Sequence, residues 1–187
     1  MAMLMVVYSQ KSIAHSFLGE MEESRKYLLE AEKLVKERKL IKVYYSGYLL
    51  AACYYELSKY LADPVKGRHY LGSLLNLTRA LVRNSKIIYS NYCEGRRLMA
   101  QTYWYLNRQR QAFRNFEKAI LIAERFGAKP ELARTYFELG KCLMDAKSRR
   151  KIVLSKNGSE YLIKAKSMFE EMDLKWDLDE YERYMEG

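Results

Sequence analysis

The chain has 187 residues, 49% apolar and 30% charged, with a net charge of +10. That balance supplies a real core for one domain or a short array of repeats, and it excludes both a disordered chain and a membrane-embedded one. Only two prolines occur, Pro64 and Pro130, which favours helices over many short strands.

Met1 to Val7 is apolar but short, and no basic residue precedes it, so it reads as neither a signal peptide nor a spanning helix. No later apolar run approaches the roughly 20 residues that a span needs, and the expected location is the cytoplasm with no membrane insertion. A first helix ends near Leu18-Gly19, and a second carries Ser24, Leu28 and Ala31 on one face. The next pair places Tyr48, Ala51, Ala52 and Tyr55 on its first helix. Asp63-Pro64 then opens a helix bearing Ser73, Leu77 and Ala80. The third pair has Arg96, Met99, Ala100 and Tyr103, followed by Ala112, Phe116 and Ala119. Gly127 caps that helix and Pro130 opens the next, which carries Tyr136, Leu139, Gly140 and Leu143. Lys147 to Gly158 reads as a longer loop, and Gly158, Leu162 and Ala165 mark another helix. Asp177 to Gly187 completes the chain as a short amphipathic helix with Leu178, Tyr181 and Met185 on one face.

These segments are copies of one another. Phe116-Glu-Lys-Ala119 and the residues after it align with Leu162-Ile-Lys-Ala165 at an offset of 46 residues. The second helix of every pair repeats small-x3-large-x2-small, a spacing that keeps three side chains on one helical face. The expected architecture is all-α: an α-solenoid of antiparallel helix pairs over residues 1–42, 43–89, 90–130 and 131–176, covered at the end by a capping helix at 177–187. The first pair is the most degenerate, because Tyr8, Lys11, Ser12 and His15 match the first-helix stripe poorly.

Tyr136-x2-Leu139-Gly140-x2-Leu143, with Ala112-x3-Phe116-x2-Ala119 and Pro130, resembles the signature of tetratricopeptide repeats. The units are longer than that family's usual length. Phe126 to Gly140 is similar to the long-helix arrays of large bacterial signalling and transcription-regulatory proteins, which implies a fragment or paralogue of such a region. The resemblance implies a regulatory or scaffolding module that holds another polypeptide in a concave groove lined by the first helices. Carried onto this chain, the groove falls on Ser46, Leu49, Cys53 and Glu56, on Glu94, Arg97, Gln101 and Trp104, and on Arg134, Phe137, Lys141 and Met144. Arg97, Arg134 and Lys141 would form a basic line suited to an acidic segment or a chain-terminal carboxylate. Trp104 fits groove and core equally, whereas Phe137 fits the core better.

The residues that carry chemistry are sparse. Cys53, Cys93 and Cys142 stand alone and read as buried free thiols. His15 and His69 have no partner at metal-ligand spacing, and no glycine-rich phosphate loop occurs. No cofactor, metal or catalytic constellation is expected. Residues 160–187 carry −5, so the body of the chain is strongly basic. A basic loop with Arg149, Arg150 and Lys151 reads as a mobile surface insertion, with phosphates or acidic lipid as partners it could touch. Binding of nucleic acid through that basic body, with Tyr103, Trp104, Arg108 and Arg110 offering stacking and phosphate contacts, ranks second to protein binding. Self-association is also allowed.

Overall fold

The computed structural model describes residues 2–37 and 42–187. Nine α-helices run through them: α1 (Ala2–Phe17), α2 (Met21–Glu37), α3 (Lys42–Ala62), α4 (Tyr70–Asn84), α5 (Tyr89–Tyr105), α6 (Gln109–Phe126), α7 (Lys129–Met144), α8 (Gly158–Glu171) and α9 (Lys175–Glu186). Helices adjacent in sequence pack as antiparallel pairs, α1 with α2, α3 with α4, α5 with α6 and α7 with α8, and the pairs stack in chain order. The molecule is an all-α helical-repeat fold. The expected boundary between the first two repeats, at residues 42 and 43, falls in the first turn of α3.

Helix ends follow from local chemistry. Gly19 and Gly127 sit at φ of +76° and +65°, the left-handed helix-ending conformation that costs glycine least, and Asn107 and Asp173 adopt it after α5 and α8. Pro130 occupies the first turn of α7, where a missing N–H costs nothing. Asp63-Pro64 does not open α4 directly. The Asp63 carboxylate accepts from the Lys66 N–H, and a 3-10 turn at Lys66–His69 precedes the helix.

The small residues expected at close approaches are where the fold needs them. A Cβ added at Gly140 would lie 2.8 Å from Leu162 Cγ and 3.1 Å from the Gly158 carbonyl oxygen. Ala112, Phe116 and Ala165 are fully enclosed, and Leu162 nearly so, in a core shared by α5 to α9, and Ala119 is fully enclosed as well. In the second pair the register is one residue further along than expected. Ser73 is exposed and Leu77 and Ala80 half-buried, whereas Leu74, Thr78 and Leu81 are fully buried. Both triplets have the same spacing. Packing selects the second because Leu81 seats against Gly95 of α5, 3.0 Å from where a Cβ would stand.

The stretch 147–158, expected as an irregular loop, contains regular structure. It folds into a small antiparallel hairpin, β1 (Ile152–Val153) with β2 (Lys156–Asn157), turning through Leu154 and Ser155 at positive φ. Val153 is buried, and its carbonyl accepts from the Tyr161 hydroxyl at 2.8 Å. Asn157 and Glu160 then form a reciprocal capping box that starts α8. Helix α9 lays Tyr181 and, in part, Leu178 on the core. Met185, expected on that face, is exposed.

Candidate functional site

The first helices of the pairs, α1, α3, α5 and α7, line one side of the stack with α9, and between them lies a cleft of about 690 Å³. None of its lining residues comes from α4, α6 or α8. The array curls enough for its first and last helices to meet: Phe17 and Trp176 stack with ring centroids 6.0 Å apart, and Phe17 also meets Tyr54 edge-on at 4.8 Å. Leu57, Leu61 and the edge of Phe137 add apolar wall.

Arg97, Gln101, Arg134, Phe137 and Lys141 all reach this cleft. Trp104 does not. It is buried in the core edge-on to Phe113 at 5.9 Å, and only a neighbouring depression touches it, where the Lys147 ammonium lies 5.1 Å from its ring. Ser46, Leu49 and Cys53 are buried and Glu56 faces elsewhere. The second pair offers Leu50, Tyr54 and Leu57 instead, again one residue further along. Met144 is exposed beside the same depression as Trp104.

The expected basic line is assembled but not free. Arg97 donates to the Tyr54 hydroxyl at 2.7 Å and to Glu94 at 3.0 Å, while Tyr54 donates to Glu94 in turn. Arg134 grips both oxygens of Asp177 at 2.8 Å, a bidentate geometry that fixes α7 to α9. Lys141 donates to Glu138 at 2.7 Å. Burial acts against the charge of Lys141, yet Glu138 outweighs it and raises the ammonium pKa. Burial likewise acts against the Glu138 carboxylate, and Lys141 above all, with Arg97 and Gln101, holds it below its ordinary value. Five carboxylates line the cleft, Glu94, Glu131, Glu138, Asp177 and Glu180, against the three cations. The cleft is therefore net negative, and an acidic ligand would have to displace carboxylates already seated. This corrects the expectation of an electropositive stripe.

Two polar atoms on the floor are left over. Arg97 Nε and Gln101 Oε1 are enclosed with no hydrogen-bond partner, on side chains only 6% exposed. Leaving such groups unpaired costs on the order of 1–3 kcal/mol each.

The three thiols offer no nucleophile. All are buried and unpaired; burial pushes Cys93 up to about 12 and raises Cys53 and Cys142 as well. Among the described residues no group of three or more His, Cys, Asp or Glu is placed to hold a metal ion. No helix among them is long and apolar enough to cross a membrane. In the hairpin region, Arg149 is exposed, Arg150 pairs with Glu117 at 3.1 Å, and Lys151 donates to the Asp145 carbonyl at 3.3 Å. The i,i+3 pairs Glu94–Arg97 and Glu138–Lys141 were visible in the helical spacing. Asp177, 43 residues from Arg134, was not.

No protein-family model matches the chain, and neither a curated protein nor a solved structure matches it.

Proposed function

We propose that this chain is a tetratricopeptide-like interaction module that holds a segment of another polypeptide in the cleft, and that it binds rather than catalyses. The cleft itself carries the reading. It is built from equivalent positions of successive first helices, it is walled by aromatics, and its floor bears polar side chains whose needs the fold does not meet. Pockets of a few hundred cubic ångströms with a few convergent polar groups are the usual form of a binding site. The seated carboxylates favour a segment that carries basic and apolar side chains over an acidic one. Reorientation of Arg97 or Gln101 toward a bound main-chain amide would relieve an unpaired group, which adds to affinity and not to folding.

A random peptide library displayed against the immobilised protein tests this. Selected peptides should be enriched in Lys and Arg, should alter Trp176 emission, and should lose at least tenfold in affinity for the rim variant Leu61→Arg with Glu131→Lys. Peptides that bind that variant as well as the parent, or leave Trp176 emission unchanged, would place the site elsewhere. Enrichment in Asp and Glu would restore the acidic partner.

A further inference from the structure

The positive charge of the chain is not spread over it. Between Pro64 and Phe116 stand ten basic residues and one acid, Glu94, so this stretch holds +9 of the +10. Arg97 turns inward to the cleft with Glu94. Arg79, Arg83, Lys86, Arg108, Arg110 and Arg114 are exposed, and none forms an ion pair among the described residues.

These six lie on α4, on α6 and in the turns beside them, and none of them lines the cleft. Arg79 and Arg83 are four apart on α4, and Arg110 and Arg114 are four apart on α6, so each helix presents a two-guanidinium row with Cβ atoms about 5–6 Å apart. Helix α5 lies between α4 and α6 and joins the rows. Arg79 reaches the Tyr103 hydroxyl at 3.4 Å, and Arg96 bonds Tyr92 at 2.8 Å and Asn115 of α6 at 3.0 Å. The arginine rows of α4 and α6, tied across α5 by these contacts to half-buried Tyr92 and Tyr103, form an arginine-rich band on the second and third pairs.

Leaving so many like charges unpaired weakens the fold by self-repulsion. Elsewhere the chain pairs its charges: residues 117–187 hold as many acids as bases, and most of the observed ion pairs lie there or in the first pair. We propose that the outer face of α4, α5 and α6 is a second binding surface, independent of the cleft, and that it takes the phosphate backbone of a nucleic acid without reading its sequence. Arginine supplies five of the six exposed cations, and its planar fork matches phosphate oxygens bidentately where lysine offers a point charge. Rows spaced along two helices suit successive phosphates of a strand. Tyr92 and Tyr103 are half-buried against Leu75, Val82 and Met99, and Tyr92 lies under the Arg96 guanidinium, so phosphate contacts and not base stacking carry the binding.

Fluorescence anisotropy with a labelled oligothymidylate and with a short mixed-sequence duplex tests the proposal between about 50 and 200 mM salt. Binding of either probe, falling steeply with salt and indifferent to sequence, is expected, and the stronger probe identifies the form of nucleic acid preferred. Arg83→Glu with Arg114→Glu should weaken binding at least tenfold and flatten the slope of log K against log salt by about 0.7 (single strand) or about 0.9 (duplex) for every phosphate that is no longer neutralised. Lys164→Glu with Lys175→Glu, the same charge change placed outside the band, should weaken it much less. The cleft variant Leu61→Arg with Glu131→Lys, which adds positive charge, should bind oligonucleotide at least as tightly as the parent does. Circular dichroism checks that every variant is folded, and Arg79→Ala with Arg110→Ala serves as a milder second pair. The proposal fails if neither probe binds at the lowest salt. It fails if the two reversals inside the band and the two outside it act alike. It fails too if polyglutamate or vesicles containing phosphatidylserine compete as well as oligonucleotide does, since the band would then take acidic polymers or lipid of another class.

Discussion

The first and fourth helix pairs have the same shape and are held together by opposite means. Helix α7 meets α8 through Gly140, Gly158 and Leu162, backed by Phe137, Tyr161 and Phe169 in one apolar core. Helix α1 meets α2 through a buried cluster of hydroxyls, with Tyr27 stacked on Tyr8 and His15 beside it: Ser24 bonds Ser16 at 2.7 Å, Ser12 at 3.2 Å and the Ser12 carbonyl at 2.9 Å. Among the described side chains of α1, Ile13 alone enters the neighbouring core cluster and Met5 is fully buried, while Met3, Leu4, Val6 and Val7 are exposed. A helical-repeat fold asks for small side chains at the close approach and leaves open whether burial or hydrogen bonding supplies the energy. Burial of a large side chain is worth about 1.5–3 kcal/mol, a net hydrogen bond about 1, so the fourth pair should be the firmer of the two.

The largest test strikes the apolar pair. Phe169 is fully enclosed, with its ring against Phe137 at 6.2 Å. Phe169→Ala should cost about 3–5 kcal/mol in chemical denaturation, through lost burial plus an unfilled cavity. Gly140→Ala comes next. The new methyl meets both Leu162 and the Gly158 carbonyl, and Leu162 can yield whereas backbone cannot, so the loss should be about 1–3 kcal/mol. Gly47→Ala is the matched control. It sits in α3 with open space where its Cβ would be, and it should gain a few tenths to about 1 kcal/mol from helix propensity. Equal effects at the two glycines would show that α7 and α8 do not approach as described.

On the serine side, Ser24→Ala removes one hydroxyl and strands two others, Ser12 and Ser16, at a buried interface. The expected loss is about 1–2 kcal/mol. Because stability in a repeat array is local, hydrogen exchange should quicken in α1 and α2 and hardly change in α7 and α8. Uniform loosening along the chain would mean that the pairs unfold as one unit.

The two pairs also differ in how well the sequence announces them. The fourth pair was legible because Tyr136, Leu139, Gly140 and Leu143 combine a helical period with a size pattern, so only one register fits. In α4 the apolar residues Leu74, Leu75, Leu77, Leu81 and Val82 cover too wide an arc, and two registers one residue apart satisfy the same spacing. The contact between Leu81 and Gly95 that decides between them is a tertiary fact. The same slip displaced the expected cleft residues of α3. Arg97, Arg134 and Lys141 line the cleft from α5 and α7, and their state depends on partners. Two of those partners stand three residues away on the same helix and were readable; Asp177 arrives only when α9 folds back. The hairpin at Ile152–Asn157 was hidden because its two-residue strands are too short for any alternation to show.

The smallest test is also the one whose sign separates the two modes of packing most sharply. Ser9 of α1 is 1% exposed, and its hydroxyl has no hydrogen-bond partner. In an interface held by hydrogen bonds, a serine that makes none contributes only the cost of drying its oxygen. Ser9→Ala removes that cost, leaves a side chain of nearly the same volume, and puts the best helix former in the middle of α1. It should therefore leave stability unchanged or raise it by up to about 1 kcal/mol, where Ser24→Ala lowers it. Measured side by side by denaturation, the two substitutions should differ in sign although both delete one buried oxygen. If Ser9→Ala destabilises as Ser24→Ala does, its hydroxyl is bonded in solution, and the first pair is a continuous polar seam instead of three linked serines beside an idle one.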